Sequence, residues 1–307
     1  MKRIITLILC ALLIGGVIYK LDYLVDTLSN LLYSYPKVVV KEKNLYAKNY
    51  NFKYVSTTDN FLPYNYQELI NIFYTVLDSG YDTFTFYCPS EYQECLNDVE
   101  AISSGKDNDV LSTIGNFVSP FNNFDSVKVK YDTAGEVTIE NNKLYKDEDI
   151  KKINEKIDEI WKEIVTNDMD KKDIIYAFHD YIINHTKYDE LFENEIKTGK
   201  TTHDASRATG LLFEGYATCS GYTDVMAIIL NRMGIPNYRV ASTSHVWNAL
   251  YLDDGWYHID LTWDDPVSED RNVDTLLHKF YLIDTKKLEE FDISDHTFNK
   301  ANYLEVR

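Results

Sequence analysis

The chain is short of positive charge: 31 Lys and Arg stand against 49 Asp and Glu in 307 residues, for a formal net charge of −18. A folded surface of that sign repels polyanions, which argues against nucleic acid or anionic lipid as a partner of the folded part. Proline and glycine are scarce too, at 6 and 12. There is no internal repeat and no low-complexity tract. With 45% hydrophobic and 26% charged residues, the composition is that of a globular chain rather than a disordered one. The length allows about two domains. Cysteine is rarer still, with four residues: Cys10, Cys88, Cys95 and Cys219.

Long uncharged runs are nearly absent. The one that exists, Ile4 to Tyr19, follows Met1-Lys2-Arg3. Two readings compete, a signal peptide that is cleaved and a membrane anchor that stays; a buried helix is a third. The run is shorter than the roughly 20 residues of a spanning helix. However, Leu21, Leu24 and Val25 extend it, and Lys20 can reach the headgroups. No small-x-small cleavage site follows. Leu9 before Cys10 is too large for a lipid-attachment site. The reading adopted is an uncleaved anchor with a juxtamembrane helix over residues 1–35, its stripe continuing through Leu28, Leu31 and Leu32. Lys2 and Arg3 hold the N-terminus in the cytoplasm, and the bulk of the chain lies outside. Secretion after cleavage is the alternative.

In an oxidising space Cys88 and Cys95, seven positions apart, suit a small-loop disulfide. Equally, Cys88 suits a buried strand and Cys95 a helix. Cys219 has no partner, and an unpaired thiol outside the cell needs a reason.

Residues 36–64 are polar and aperiodic and read as a linker. Residues 65–166 read as a small mixed α/β domain. Its pattern predicts a helix over 66–78 and a strand over 81–88. A second helix over 90–103 has Ser90 and Gln93 placed as a capping box. A short helix follows over 110–117, then a hairpin over 126–142 turning near Gly135. Ile150, Ile153, Ile157, Ile160 and Ile164 mark an amphipathic helix. Nothing in this domain resembles a catalytic constellation.

The second domain spans 170–307. Ile174, Ile175, Phe178, Tyr181, Ile182 and His185 share one helical face. A surface loop is expected over 190–202 and a short helix over 205–213. Three strand-like runs follow, "YRVAST", "HVWNALYL" and "WYHIDLTW", with the "DDG" turn at 253–255 joining the last two.

Between them lies "YATCSGYTDVMAIILNRMGIP". Thr218 is placed to cap a helix with the apolar face Tyr222, Val225, Met226, Ile229 and Met233, which Gly234 and Pro236 end. Cys219 then sits in the first turn, where unpaired backbone N–H groups and the helix dipole favour a thiolate. A thiol enzyme also needs a base, and the base an orienting group. His245 and Asp260, 15 residues apart across the turn, are the candidates. A turn centred on Asp254 leaves them staggered by about three residues, roughly 10 Å. Twist, a bulge or an earlier turn must absorb that offset.

The stretches "ATCSGYTDVMAIILNRMGIP" and "HVWNALYLDDGWYHIDLTWDDP" closely resemble the transglutaminase-like superfamily of papain-type cysteine enzymes. The Cys before an "SGY" helix, the "HVWN" strand and the "WYHIDLTWDDP" strand carry the likeness, as does the order Cys, His, Asp. It extends upstream to "HDYIINHTKYD" and downstream through "FYLID", over about residues 170–298. The resemblance implies Cys219 as nucleophile, His245 as base and Asp260 as orienting group. It also implies an α/β (α+β) fold in which the cysteine helix packs on an antiparallel sheet.

The chemistry expected is attack by Cys219 on a peptide or protein amide, with hydrolysis favoured over cross-linking. The backbone N–H of Cys219 suits an oxyanion donor, and the Tyr188 hydroxyl is a candidate for the second. Trp247 suits either a shield over the His–Asp pair or a core residue. Asn248 is expected to satisfy backbone groups, and Gly221 and Trp263 to pack. Asp264-Asp265-Pro266 reads as a turn rather than a calcium site. His258 alternates with Asp260 on one strand, but no third ligand is visible, so neither metal nor cofactor is expected. A non-catalytic binding module of the cell envelope is the alternative function.

Overall fold

A computed structural model describes residues 20–21, 61–106, 108–253, 255–267 and 275–306. The anchor expected over 1–35, except residues 20–21, and the 36–64 linker up to residue 60 lie outside these. Among the described residues no helix is long and apolar enough to cross a membrane.

The described residues from 61 onward belong to one compact unit. Its first part carries helix α1 (Tyr66–Asp78), strand β1 (Thr83–Tyr87), and helices α2 (Cys95–Ser103) and α3 (Asn108–Phe117). The hairpin β2 (Phe124–Tyr131) and β3 (Glu136–Lys143) follows. The three strands form an antiparallel sheet in the order β1-β3-β2. Asn65 caps α1 by accepting from the Glu68 N–H at 3.0 Å. Gly135 turns the hairpin with φ +92, and a Cβ there would lie 2.7 Å from the Cys88 carbonyl oxygen.

Cys88 and Cys95 are bridged, with Cα atoms 5.7 Å apart. This corrects the start expected for α2. Residues 89–94 spend their backbone on turns, Tyr92 N–H to Pro89 C=O and Cys95 N–H to Tyr92 C=O, each at 3.1 Å. Those turns bring Cys95 back to Cys88. The helix therefore begins at Cys95 with no side-chain cap, and Ser90 bonds Glu91 rather than forming the expected box. Closing so short a loop should contribute roughly 2 to 3 kcal/mol. Mapping of unreduced peptides should show the two residues linked, with Cys219 alkylated in native protein; two free thiols at 88 and 95 would reject the bridge.

Helix α4 (Asp147–Ile164) follows the sheet and buries Ile153, Ile157 and Ile160. It shares one core with α5 (Lys171–His185) and α7 (Cys219–Arg232). The buried face of α5 is Ile175, Phe178, His179, Ile182 and Ile183. His185, expected on that face, is exposed and bonds the Tyr181 carbonyl at 2.7 Å. Short strands β4 (Lys187–Tyr188) and β5 (Tyr216–Ala217) pair in parallel. Between them the expected surface loop contains a helix, α6 (Phe192–Thr198), because Phe192 buries its ring there. The short helix expected over 205–213 appears largely as a π-turn, Gly210–Glu214.

An antiparallel sheet of β6 (Asn237–Ala241), β7 (Val246–Leu252) and β8 (Gly255–Ile259), in that order, packs on α7. Sequence suggests one apolar face for α7, yet every residue from Gly221 to Leu230 is buried. The sheet covers one side and α5 another. Burial all round is what a central helix requires, so its polar residues need partners. Asp224 pairs with Arg239 and accepts from the Tyr145 hydroxyl at 2.5 Å, and the Thr223 hydroxyl donates to the Val246 carbonyl at 3.1 Å.

Candidate active site

Strand β5 delivers the chain to the N-terminus of α7, where Cys219 is the first helical residue. Thr218 does not cap the helix with its side chain. Its hydroxyl and N–H both turn to the Ala205 carbonyl, at 3.3 and 2.8 Å. The first-turn N–H groups are thus free of a Thr218 cap, and their partial positive charge is directed at the thiol. Gly221 is the packing residue expected: a Cβ there would sit 2.5 Å from the Ala205 carbonyl oxygen. Gly221→Ala should cost roughly 1 to 3 kcal/mol through overpacking and displace the helix start. Thermal unfolding and the alkylation rate of Cys219 would check both.

The hairpin places the other two residues. Leu252 pairs with Gly255 and Asn248 with Ile259. In that register Asp260 lies opposite Trp247, so His245 and Asp260 are offset by two positions, not the three expected. The turn is centred half a residue earlier than "DDG" suggests. An even offset keeps both side chains on one face, and a diagonal pair is within reach of a long side chain. The His245 backbone is held by Ser242, whose Oγ accepts the His245 N–H at 3.0 Å. Its Nε2 meets Asp260 Oδ2 at 2.6 Å, and the ring lines the same cavity as the Cys219 thiol. With Nε2 taken by Asp260, Nδ1 is the nitrogen left for the thiol.

Asp260 is fully enclosed and richly supplied with donors. It begins helix α8 (Leu261–Asp264) as its cap, with Oδ1 accepting the Thr262 and Trp263 N–H groups at 3.0 and 3.3 Å. His296 Nε2 reaches Oδ2 from the other side at 2.8 Å. Sequence reasoning missed His296: it lies 36 residues from Asp260 in a polar stretch with no periodicity. Burial disfavours the Asp260 charge, but the His245 charge and these hydrogen bonds prevail and hold its pKa down to about 2. Burial likewise works against the imidazolium of His245, yet Asp260, aided by Cys219, raises its pKa to about 10.

Trp247 is wholly buried and stacks beside His245, ring centroids 5.7 Å apart, so it is both core residue and cover. Its indole N–H donates to His258 Nδ1 at 2.9 Å. Burial, then repulsion from His296, lowers the His258 pKa to about 3. The His258 Nε2 bonds Thr285 Oγ1 at 3.1 Å, so both of its ring nitrogens have protein partners. Asn248 serves the backbone, donating to the Thr223 carbonyl at 3.0 Å. Asp264 and Asp265 do more than turn the chain. Asp264 is buried and accepts the Phe280 N–H at 2.9 Å, and Asp265 accepts the Tyr222 hydroxyl at 2.5 Å.

Cys219 is part-exposed at the wall of a cavity of about 710 Å³. Tyr188, His245 and Trp263 line it beside the thiol; Phe192, Ile196 and Val267 give it apolar surface, and Glu193, Asp265 and Asp295 give it negative charge. Among the described lining residues there is no Lys or Arg. Burial, then the negative charge of a Cys219 thiolate, raises the Tyr188 pKa to about 12, so its hydroxyl keeps its proton.

Residues 158–261 match the family model described as "Transglutaminase-like superfamily". None of the curated proteins matches the chain. A solved structure titled "Crystal structure of a TGase" is similar over 46% of this chain and 44% of its own, at 18% identity and a TM-score of 0.34. The chain therefore spans less than half the length of that protein, and a likeness so slight adds nothing to the family match.

Proposed function

We propose that the chain, whose residues 158–261 match the transglutaminase-like superfamily, is a cysteine enzyme of acyl transfer acting on peptide or protein amides. Cys219 Sγ attacks the amide carbonyl. The oxyanion is held by the N–H of Cys219 at the helix start and by the Tyr188 hydroxyl. His245, protonated through its pairing with Asp260, gives its proton to the leaving amine, and a thioacyl enzyme remains. Water then attacks, His245 takes its proton, and the acid is released. The observation that carries this reading is the buried 2.6 Å contact of His245 with Asp260, on a ring that lines the same cavity as the Cys219 thiol.

Hydrolysis is the favoured outcome, since water is the abundant acceptor. One observation favours cross-linking as a second reading. Glu193, Asp265 and Asp295 line the cavity with no Lys or Arg among the described lining residues, a lining that suits an amine. A glutamine peptide offered with and without a fluorescent primary amine separates the two. Release of acid and ammonia alone supports hydrolysis, and covalent incorporation of the amine supports transfer.

An anchored, outward-facing location belongs to the same reading. The Cys88–Cys95 bridge supports it, because disulfides persist in oxidising compartments. The protein should fractionate with membranes, its C-terminal part open to external protease. Soluble cytoplasmic protein with an intact N-terminus would sink the idea.

A further inference from the structure

We propose that His179, Asp180 and His278 form a site for a divalent transition-metal ion, best matched by Zn(II), that ties helix α5 to the strap of residues 275–283. The site is separate from the acyl chemistry and does not rest on it.

His179 is completely buried on α5 and faces a carboxylate with each ring nitrogen. Nε2 lies 3.1 Å from Asp264 Oδ2, and Nδ1 lies 3.0 Å from Asp180 Oδ1. A ring with one proton donates to only one of them. Asp264 is fixed in the interior by the Phe280 N–H, which reaches both its oxygens at 2.9 and 3.2 Å. With the ring proton on the Asp264 side, the Nδ1 lone pair faces the lone pairs of Asp180. That contact is repulsive unless a second proton or a cation lies between.

His278 brings a third donor to the same place, with Nε2 2.7 Å from the same Asp180 Oδ1. Its ring is held by stacking on Tyr176, centroids 4.6 Å apart and planes at 5°. The three ligand atoms lie within 4.8 Å of one another. A tetrahedral Zn(II) with bonds of roughly 2.0 to 2.2 Å sets its ligands roughly 3.3 Å apart. The contacts of 2.7 and 3.0 Å to Asp180 would open by roughly 0.6 and 0.3 Å, and the His179 and His278 nitrogens, within 4.8 Å of each other, would settle to the same spacing. Two imidazoles and one carboxylate suit zinc and its first-row neighbours, not calcium or magnesium, which take oxygen ligands. The Asp264–His179 bond is the outer carboxylate that metal-bound histidines usually have. The Asp180 and His278 side chains are each 30% exposed, giving an ion a way in and a water a fourth position.

The strap is the element behind Asp260. Phe280 C=O accepts the Asp260 N–H at 3.2 Å, and His258 and Ile283 exchange backbone bonds at 2.7 and 3.0 Å. A metal at its start would hold that backing in place.

The test uses the full, untagged chain freed of metal with a chelator. Added Zn(II) should raise Tm, and Co(II) should give visible ligand-field bands at one equivalent. Asp180→Asn and His278→Ala change part-exposed side chains, and their far-UV spectra will report folding. Both should lose the Tm rise and the bands. Asp264→Asn should weaken Co(II) binding roughly 10- to 100-fold. Wild type with neither Tm rise nor bands at saturating metal overturns the proposal, as does undiminished binding in His278→Ala.

Discussion

Cys219→Ala should leave the fold intact and remove the chemistry, lowering turnover by roughly 10³- to 10⁶-fold, the scale of a lost nucleophile. The side chain is part-exposed at the cavity wall, so its removal opens no sealed void. The reactivity expected of the thiol comes from its surroundings. Its helix start has no side-chain cap, and His245, with its pKa raised to about 10, stands beside it as a cation at neutral pH. A labelled iodoacetamide or electrophilic amide probe should mark wild type at mildly acidic pH and leave Cys219→Ala unmarked. Cys219→Ser should behave like Ala, since a serine hydroxyl is far harder to ionise. His245→Ala should move labelling to higher pH, because the cation that stabilises the thiolate is gone. If wild type labels only at alkaline pH, and His245→Ala equally, the catalytic reading fails and the binding module leads.

Asp260→Asn should be the most costly single substitution for stability and activity together. It removes the charge that neutralises buried His245 and replaces an oxygen that accepts from both His245 and His296. Breaking a buried pair by deleting one partner costs roughly 3 to 5 kcal/mol. The sign of the pH dependence follows from the two shifts. His245 is raised from 6.5 to about 10, so its contribution is full below 6.5 and lost as pH rises through about 10. Asp260 is lowered from 3.8 to about 2, so its contribution is present above 3.8 and lost as pH falls through about 2. These are two sides of one interaction and count once. The Tm gap between wild type and Asp260→Asn should be widest between about pH 4 and 6.5 and shrink towards pH 10. Turnover should fall by roughly 10⁴-fold, a typical loss when the carboxylate that orients a histidine is replaced. Its alkaline limb should move down from about 10 towards the ordinary histidine range. A Tm gap independent of pH, or an unmoved alkaline limb, would show that Asp260 does not set the charge of His245.

The sequence by itself determined the local elements and the identities of the three candidate residues. The isoleucines of 150–164 announced their helix, because a spacing of three and four is the helix's own period. "DDG" announced the hairpin, and "TCSGY" set a thiol at a helix start, since caps and turns act over a few neighbouring residues. Only the tertiary structure decided what those elements meet. Whether Thr218 caps its helix depends on Ala205, 13 residues away, whose carbonyl takes the hydroxyl instead. The offset of His245 from Asp260 depends on a register of two against three residues, which the composition of the turn does not specify. His296 reaches Asp260 across 36 residues, and Asp264 binds His179 across 85. Neither pair leaves a trace in any local pattern. The burial of α7 on all sides was hidden for the same reason: periodicity reports one apolar face, and only the packed sheet and helices show that a second is covered. Hydrogen bonds between distant segments form because buried polar atoms must find partners wherever folding leaves them, and that place is fixed by the whole chain.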